Sequence, residues 1–126
     1  MAMILIIDDD PDFVDTCRLF LEQEGFEVKT AYNRDEGMKS VSDHQPDLVI
    51  LDVMMDQPDD GIAMARGMRK AGFDHPIVML TSIGKVTGME YGPDSELVPV
   101  DEFLEKPVTR DELITRVRKL LASQED

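Results

Sequence analysis

The feature that most constrains this chain is a regular alternation of short apolar runs with segments of helical periodicity. The apolar runs occupy residues 3–7, 48–53, 77–80 and 103–104, and the mixed segment 27–31 is a further short strand in the same series. Alternation of this kind is typical of a parallel sheet with helices on both faces. At 126 residues the chain is long enough to bury one core but too short for a second. We therefore predict a single α/β domain spanning residues 1–126, a five-stranded doubly wound (βα)5 sheet.

Three polar residues mark where helices are expected to begin. Asp10, Asn33 and Thr109 each precede a helix-period segment, and each has a side chain that accepts hydrogen bonds from the first free amides of a helix. Because these caps fall between the apolar runs, they support the same strand and helix order.

The place of the fourth of five helices, residues 84–99, does not fit the helical pattern. It contains three glycines and two prolines, and each costs about 1 to 3 kcal/mol in a helix interior. We expect a loop or a broken helix there. The polar tail at residues 123–126 is expected to fray.

Charge and cysteine content exclude several classes of protein. The formal net charge is −14, so most faces would repel a phosphate backbone and direct nucleic-acid binding is not expected. The apolar opening is too short for a membrane span or a secretory signal. A single cysteine, Cys17, permits no internal disulfide. We expect a soluble cytoplasmic protein.

Polar residues gather at the carboxyl ends of the predicted strands. Asp8 and Asp9 follow the first strand, Asp52 ends the third, and Thr81 ends the fourth, while Lys106 lies in the loop after the fifth. In an open parallel sheet these ends meet in one crevice, where ligands bind. Three carboxylates gathered there repel one another, and hard oxygen ligands favour Mg²⁺ or Mn²⁺. The sequence thus predicts a divalent metal site.

Beside such a metal, Asp52 is placed to attack phosphorus. The cation and the Lys106 ammonium would neutralise a transferring phosphoryl group, and the Thr81 hydroxyl can donate a hydrogen bond to one of its oxygens. An aspartyl phosphate is the covalent state that this arrangement implies.

Four motifs, IIDDDPD, DLVILDVMM, VMLTS and FLEKPV, occur in this order on the predicted strands. Together they resemble the receiver domain of two-component response regulators, over nearly the whole chain. The resemblance implies a flavodoxin-like sheet of order 2-1-3-4-5. It implies Asp52 as phosphoacceptor, Asp8 and Asp9 as the acidic metal pair, and Lys106 as the phosphate-binding lysine.

The same resemblance implies further residues and partners. Thr81 would supply the switch hydroxyl and Phe103 the aromatic switch position, although Phe103 can equally be an ordinary buried aromatic residue. The main-chain carbonyl of Met54 would be a further metal ligand. The phosphoryl donor would be a histidine kinase or phosphotransfer protein, and the output an unidentified downstream protein.

Other functions are compatible with a similar sheet. Haloacid-dehalogenase-like phosphatases also use a strand-end aspartate with Mg²⁺, but they place a second aspartate two positions later as general acid, where this chain has Met54. A flavodoxin-like electron carrier would need a phosphate loop rich in Ser, Thr and Gly in place of Asp8, Asp9 and Asp10. A receiver-like scaffold that is never phosphorylated is a further alternative. We expect no enzymatic activity beyond self-catalysed phosphorylation and dephosphorylation.

Overall fold

A computed structural model describes residues 2–52, 60–82, 100–106 and 108–123. The strands are β1 (Met3–Ile7), β2 (Glu27–Ala31), β3 (Leu48–Asp52), β4 (Ile77–Ser82) and β5 (Glu102–Lys106). The helices in these ranges are α1 (Pro11–Gln23), α2 (Arg34–His44), α3 (Asp60–Lys70) and α4 (Arg110–Ser123).

The strands form one parallel sheet of order β2-β1-β3-β4-β5, as predicted. Alternate residues of β1 enter two separate cores. Ile4 and Ile6 pack with residues of α1 and α4, whereas Leu5 and Ile7 pack with residues of α2 and α3. A strand buried on both faces needs apolar residues at every position, which explains the continuous apolar run that the sequence shows.

The predicted helix caps are present. Asp10 Oδ1 accepts the amide N–H of Asp12 at 3.1 Å, and Asn33 Oδ1 accepts that of Glu36 at 2.8 Å. Thr109 Oγ1 accepts the amide N–H of Glu112 at 3.1 Å. Each cap satisfies an amide of the first turn that has no partner within the helix, and so helps to fix where that helix starts.

The structure corrects the prediction made from sequence for Lys106. Lys106, expected in the loop after the fifth strand, is the last residue of β5, because pairing with β4 extends as far as Ser82 and Lys106. Lys106 therefore belongs to the strand and not to the loop after it, and the prediction for this residue was wrong.

The predicted loop or broken helix at residues 84–99 lies outside the described residues, as do residues 124–126 of the tail. Within the described part of the chain, no helix is both long and apolar enough to cross a bilayer.

Helices α1 and α4 are joined by an ion-pair cluster around Glu24, the C-cap residue that directly follows α1. Arg118 Nη2 donates to Glu24 Oε1 at 2.6 Å, and Arg110 donates to the other carboxylate oxygen. The Arg118 guanidinium also lies 5.4 Å from the centroid of the Phe26 ring. The hydrogen bond from Arg118 is the main cause that lowers the pKa of Glu24 below its ordinary value of 4.5.

This cluster predicts a pH dependence of folding. A carboxyl group whose pKa is lowered by folding stabilises the folded state above its unfolded pKa, and that contribution is lost as the pH falls through the folded pKa. We expect the free energy of unfolding to fall more steeply below about pH 5 in the wild type than in Glu24→Gln. Urea unfolding measured from pH 3 to 7 checks this. Glu22→Gln, an exposed neighbour on α1, is the matched control; if its profile matches that of Glu24→Gln, the cluster does not carry the effect.

Candidate functional site

Strands β1 and β3 bring three predicted site carboxylates together. Asp8 directly follows β1, Asp52 ends β3, and the register pairs Ile7 with Leu51, so Asp8 and Asp52 lie side by side. One carboxylate oxygen from each of Asp8, Asp9 and Asp52 lies within 4.8 Å of the others. The sequence prediction that these three residues converge is therefore met by the geometry of the sheet.

The three carboxylates differ in their exposure to solvent. Asp8 is fully buried and Asp52 is 5% exposed, whereas Asp9 is exposed. Like charges this close repel strongly where water is scarce, so the cluster needs a cation or protons to balance it. Three hard oxygen donors, one of them open to solvent, fit Mg²⁺ or Mn²⁺, which keep several water ligands when they bind proteins.

The loop after β1 holds Asp8 in place. The Asp8 amide donates to the carbonyl oxygen of Ala31 at 3.1 Å, and Asp8 Oδ1 accepts the Asp10 amide at 3.0 Å. Asp10 therefore caps α1 with its side chain and orients Asp8 with its backbone. Sequence reasoning found the capping function of Asp10 but missed this second contact, because any residue with an amide N–H can make it.

Thr81 and Lys106 lie on the neighbouring strands at the same edge. The register pairs Asp52 with Leu80, Thr81 with Glu105, and Ser82 with Lys106. The backbone of Thr81 is thus one residue beyond the partner of Asp52, and Lys106 is at the carboxyl end of the next strand. The side chains of both residues, and the whole of Met54, lie outside the described part of the structure.

Phe103 lies in the middle of β5, paired with Met79. Its side chain is partly buried and packs against the core on the α2 and α3 side of the sheet. This position is compatible with both sequence interpretations, an ordinary core aromatic or an aromatic that changes its exposure, and the switch assignment stays a prediction.

A comparison with known protein families identifies the family among those that share this sheet. The family model described as the response regulator receiver domain matches residues 4–118. The chain belongs to the response regulator receiver family. The phosphatase and electron-carrier alternatives lose their main support, and the resemblance noted in the sequence motifs is confirmed.

Two of the curated relatives of this receiver are named as transcriptional regulators. It is 37% identical over 123 residues to the DNA-binding dual master transcriptional regulator RpaA of Synechocystis, covering 96% of this chain and 49% of the relative. It is 33% identical over 126 residues to the alkaline phosphatase synthesis regulator PhoP of Bacillus subtilis, covering 97% and 49%. The receiver therefore spans about half the length of these two-component signalling proteins.

Solved receiver domains share its fold. The receiver domain of NtrX from Brucella abortus has a TM-score of 0.82 and 29% identity, with 94% of this chain and 98% of that one covered. A receiver domain from Clostridium thermocellum has a TM-score of 0.86 and 26% identity, with 99% and 98% covered. The agreement over the full length of both neighbours supports the five-stranded, flavodoxin-like architecture.

Proposed function

We propose that this receiver accepts a phosphoryl group on Asp52 from a phosphohistidine of a histidine kinase or phosphotransfer protein. Asp8, Asp9, Asp52 and the main-chain carbonyl of Met54 would hold Mg²⁺, with Mn²⁺ as a substitute. The observation that carries the proposal is the carboxylate cluster at the carboxyl edge of β1 and β3, in which Asp8 and Asp52 are buried and Asp52 ends an otherwise apolar strand.

The chemistry needs one bond formed and one broken. An Asp52 carboxylate oxygen attacks phosphorus, and the phosphorus–nitrogen bond of the donor breaks, with the electron pair staying on the imidazole, which then takes up a proton. A bound divalent cation would supply positive charge against the carboxylates and the incoming phosphoryl oxygens. The burial of Asp52 keeps bulk water away from the attacking oxygen.

Thr81 and Lys106 would act on the phosphoryl group after it arrives. Their backbone positions support this assignment, since Thr81 follows the partner of Asp52 on β4 and Lys106 ends β5, the next strand along the same edge. The Thr81 hydroxyl would donate to one phosphoryl oxygen, and the Lys106 ammonium would balance its charge. Movement of these residues, together with Phe103, would alter the surface that binds a downstream protein.

The strongly acidic character of the receiver supports a protein partner over nucleic acid for this part of the molecule. A net charge of −14 disfavours contact with a phosphate backbone, so any DNA binding in a longer protein would fall to another segment. We propose a cytoplasmic location, where kinases of this type deliver phosphoryl groups. A receiver-like scaffold without phosphorylation is the competing function, and phosphoryl uptake distinguishes the two.

A mass measurement tests the proposal. The protein is incubated with acetyl phosphate and Mg²⁺, and its intact mass is compared with that of a sample containing EDTA. We expect one phosphoryl group to be added in the presence of Mg²⁺ and none with EDTA. An unchanged mass with Mg²⁺, across a range of donor concentrations, would favour the scaffold.

A further inference from the structure

Arg69, near the end of α3, connects three segments at the amino ends of β4 and β5. The carboxylate cluster lies at the other end of the sheet, where the strands finish. Its Nη1 donates to the carbonyl oxygens of Phe73 at 2.9 Å and His75 at 2.8 Å. Its Nη2 donates to Asp101 Oδ2 at 2.9 Å. The guanidinium also lies 5.9 Å from the centroid of the Phe73 ring. Arg69 thus ties α3 and the turn before β4 to the residue that precedes β5.

Asp101 is held from a second side by the first residue of β4. Its Oδ2 accepts the Ile77 amide at 2.9 Å, and its own amide donates to the Ile77 carbonyl oxygen at 2.9 Å. The preceding residue, Val100, is buried in the core between the sheet and helices α2 and α3. These contacts fix the position of Asp101 directly before β5.

The position of β5 depends on the contacts of Asp101, because β5, in the part of the chain that the structure describes, has a neighbouring strand on one side only. It is an edge strand, and within the described residues it pairs with β4 alone. Its register sets the backbone position of Lys106, which pairs with Ser82 at the far end of the strand. A two-residue slip would move Lys106 by about 6.6 Å, and even a misplacement of about 1 Å can lower a rate about 100-fold.

We propose that Arg69 is a positioning residue for phosphoryl transfer: through Asp101 it fixes β5, and through β5 it fixes Lys106. This inference rests on the proposed function of Asp52 and Lys106. Arg69 would position Lys106 but not the metal-binding carboxylates. Asp8, Asp9 and Asp52 lie on or after β1 and β3, which do not pair with β5. Loss of the Arg69 contacts should therefore affect phosphorylation without affecting metal binding.

The test compares Arg69→Gln with Lys70→Gln, an exposed neighbour on the same helix that loses the same charge. For each protein the rate of phosphorylation by acetyl phosphate is measured by intact mass, and Mg²⁺ affinity by calorimetry. We expect Arg69→Gln to slow phosphorylation about tenfold or more while Mg²⁺ affinity stays within about twofold. Amides of residues 102–105 should exchange faster in this variant. Lys70→Gln should match the wild type in all three measurements.

Two further variants keep the test decisive if Arg69→Gln folds poorly. Arg69→Lys retains a charge beside Asp101 but cannot reach both carbonyls, so its rate should be intermediate. Asp101→Asn retains the acceptor for Ile77 but weakens the pair with Arg69, and it should also slow phosphorylation with Mg²⁺ affinity unchanged. The inference is wrong if these variants phosphorylate at the wild-type rate, or if Mg²⁺ affinity falls in parallel with the rate. If the wild type takes up no phosphoryl group, the proposed function itself fails and this inference fails with it.

Discussion

Asp52→Asn is expected to abolish phosphoryl uptake from acetyl phosphate. Asparagine keeps the shape of the side chain and can occupy the same 5% exposed position at the end of β3, but its amide is not a nucleophile toward phosphorus. The loss should be complete on the time scale on which the wild type is fully labelled. Intact mass spectrometry of both proteins, treated identically, measures it.

Asp12→Asn is the matched control for this substitution. Asp12 is an exposed aspartate in the first turn of α1 and is not part of the carboxylate cluster. Its variant should be labelled at close to the wild-type rate. Labelling of Asp52→Asn to the wild-type extent would mean that another residue accepts the phosphoryl group.

Asp8→Asn is expected to stabilise the metal-free protein and to reduce the stabilisation that Mg²⁺ provides. Two unit charges about 4 Å apart interact by about 4 kcal/mol at an effective dielectric constant of about 20, so removing one of three clustered carboxylates should stabilise the metal-free protein, by about 1 to 3 kcal/mol. The asparagine side-chain oxygen can still accept the Asp10 amide, as Asp8 Oδ1 does. The increase in melting temperature that Mg²⁺ gives the wild type should shrink or disappear, because a charged oxygen ligand is lost.

Thermal unfolding in EDTA and in a Mg²⁺ series measures both effects. Asp12→Asn again serves as the control and should keep the full response to Mg²⁺. A wild type whose melting temperature does not respond to saturating Mg²⁺ would contradict the metal site. A variant that is less stable than the wild type in EDTA would show that repulsion among the carboxylates is not the dominant interaction of Asp8.

Most of the fold could be predicted because its signals are local. The run at residues 3–7 is apolar at every position, as a strand buried on both faces requires, and Asp10 marks the start of the next helix within a few residues of it. The convergence of Asp8, Asp9 and Asp52 also followed from sequence, since parallel strands present their carboxyl ends at one edge.

What the sequence could not predict depends on contacts between distant segments. The pair of Arg69 and Asp101 joins residues that are 32 positions apart, and both are of a type that usually faces solvent. The extension of β5 to Lys106 follows from its ladder with β4. A following proline favours an extended conformation at Lys106, but it does not show that the ladder reaches this residue. In both cases tertiary pairing, and not local propensity, decides the structure.

Localisation of the phosphoryl group on the wild-type protein tests the central claim most directly. After labelling with acetyl phosphate and Mg²⁺, the aspartyl phosphate is reduced with borohydride, and the modified residue is identified by tandem mass spectrometry. We predict that the reduced residue is Asp52 and that no such product forms in EDTA. Reduction at Asp8, Asp9 or another carboxylate, with Asp52 intact, would contradict the account.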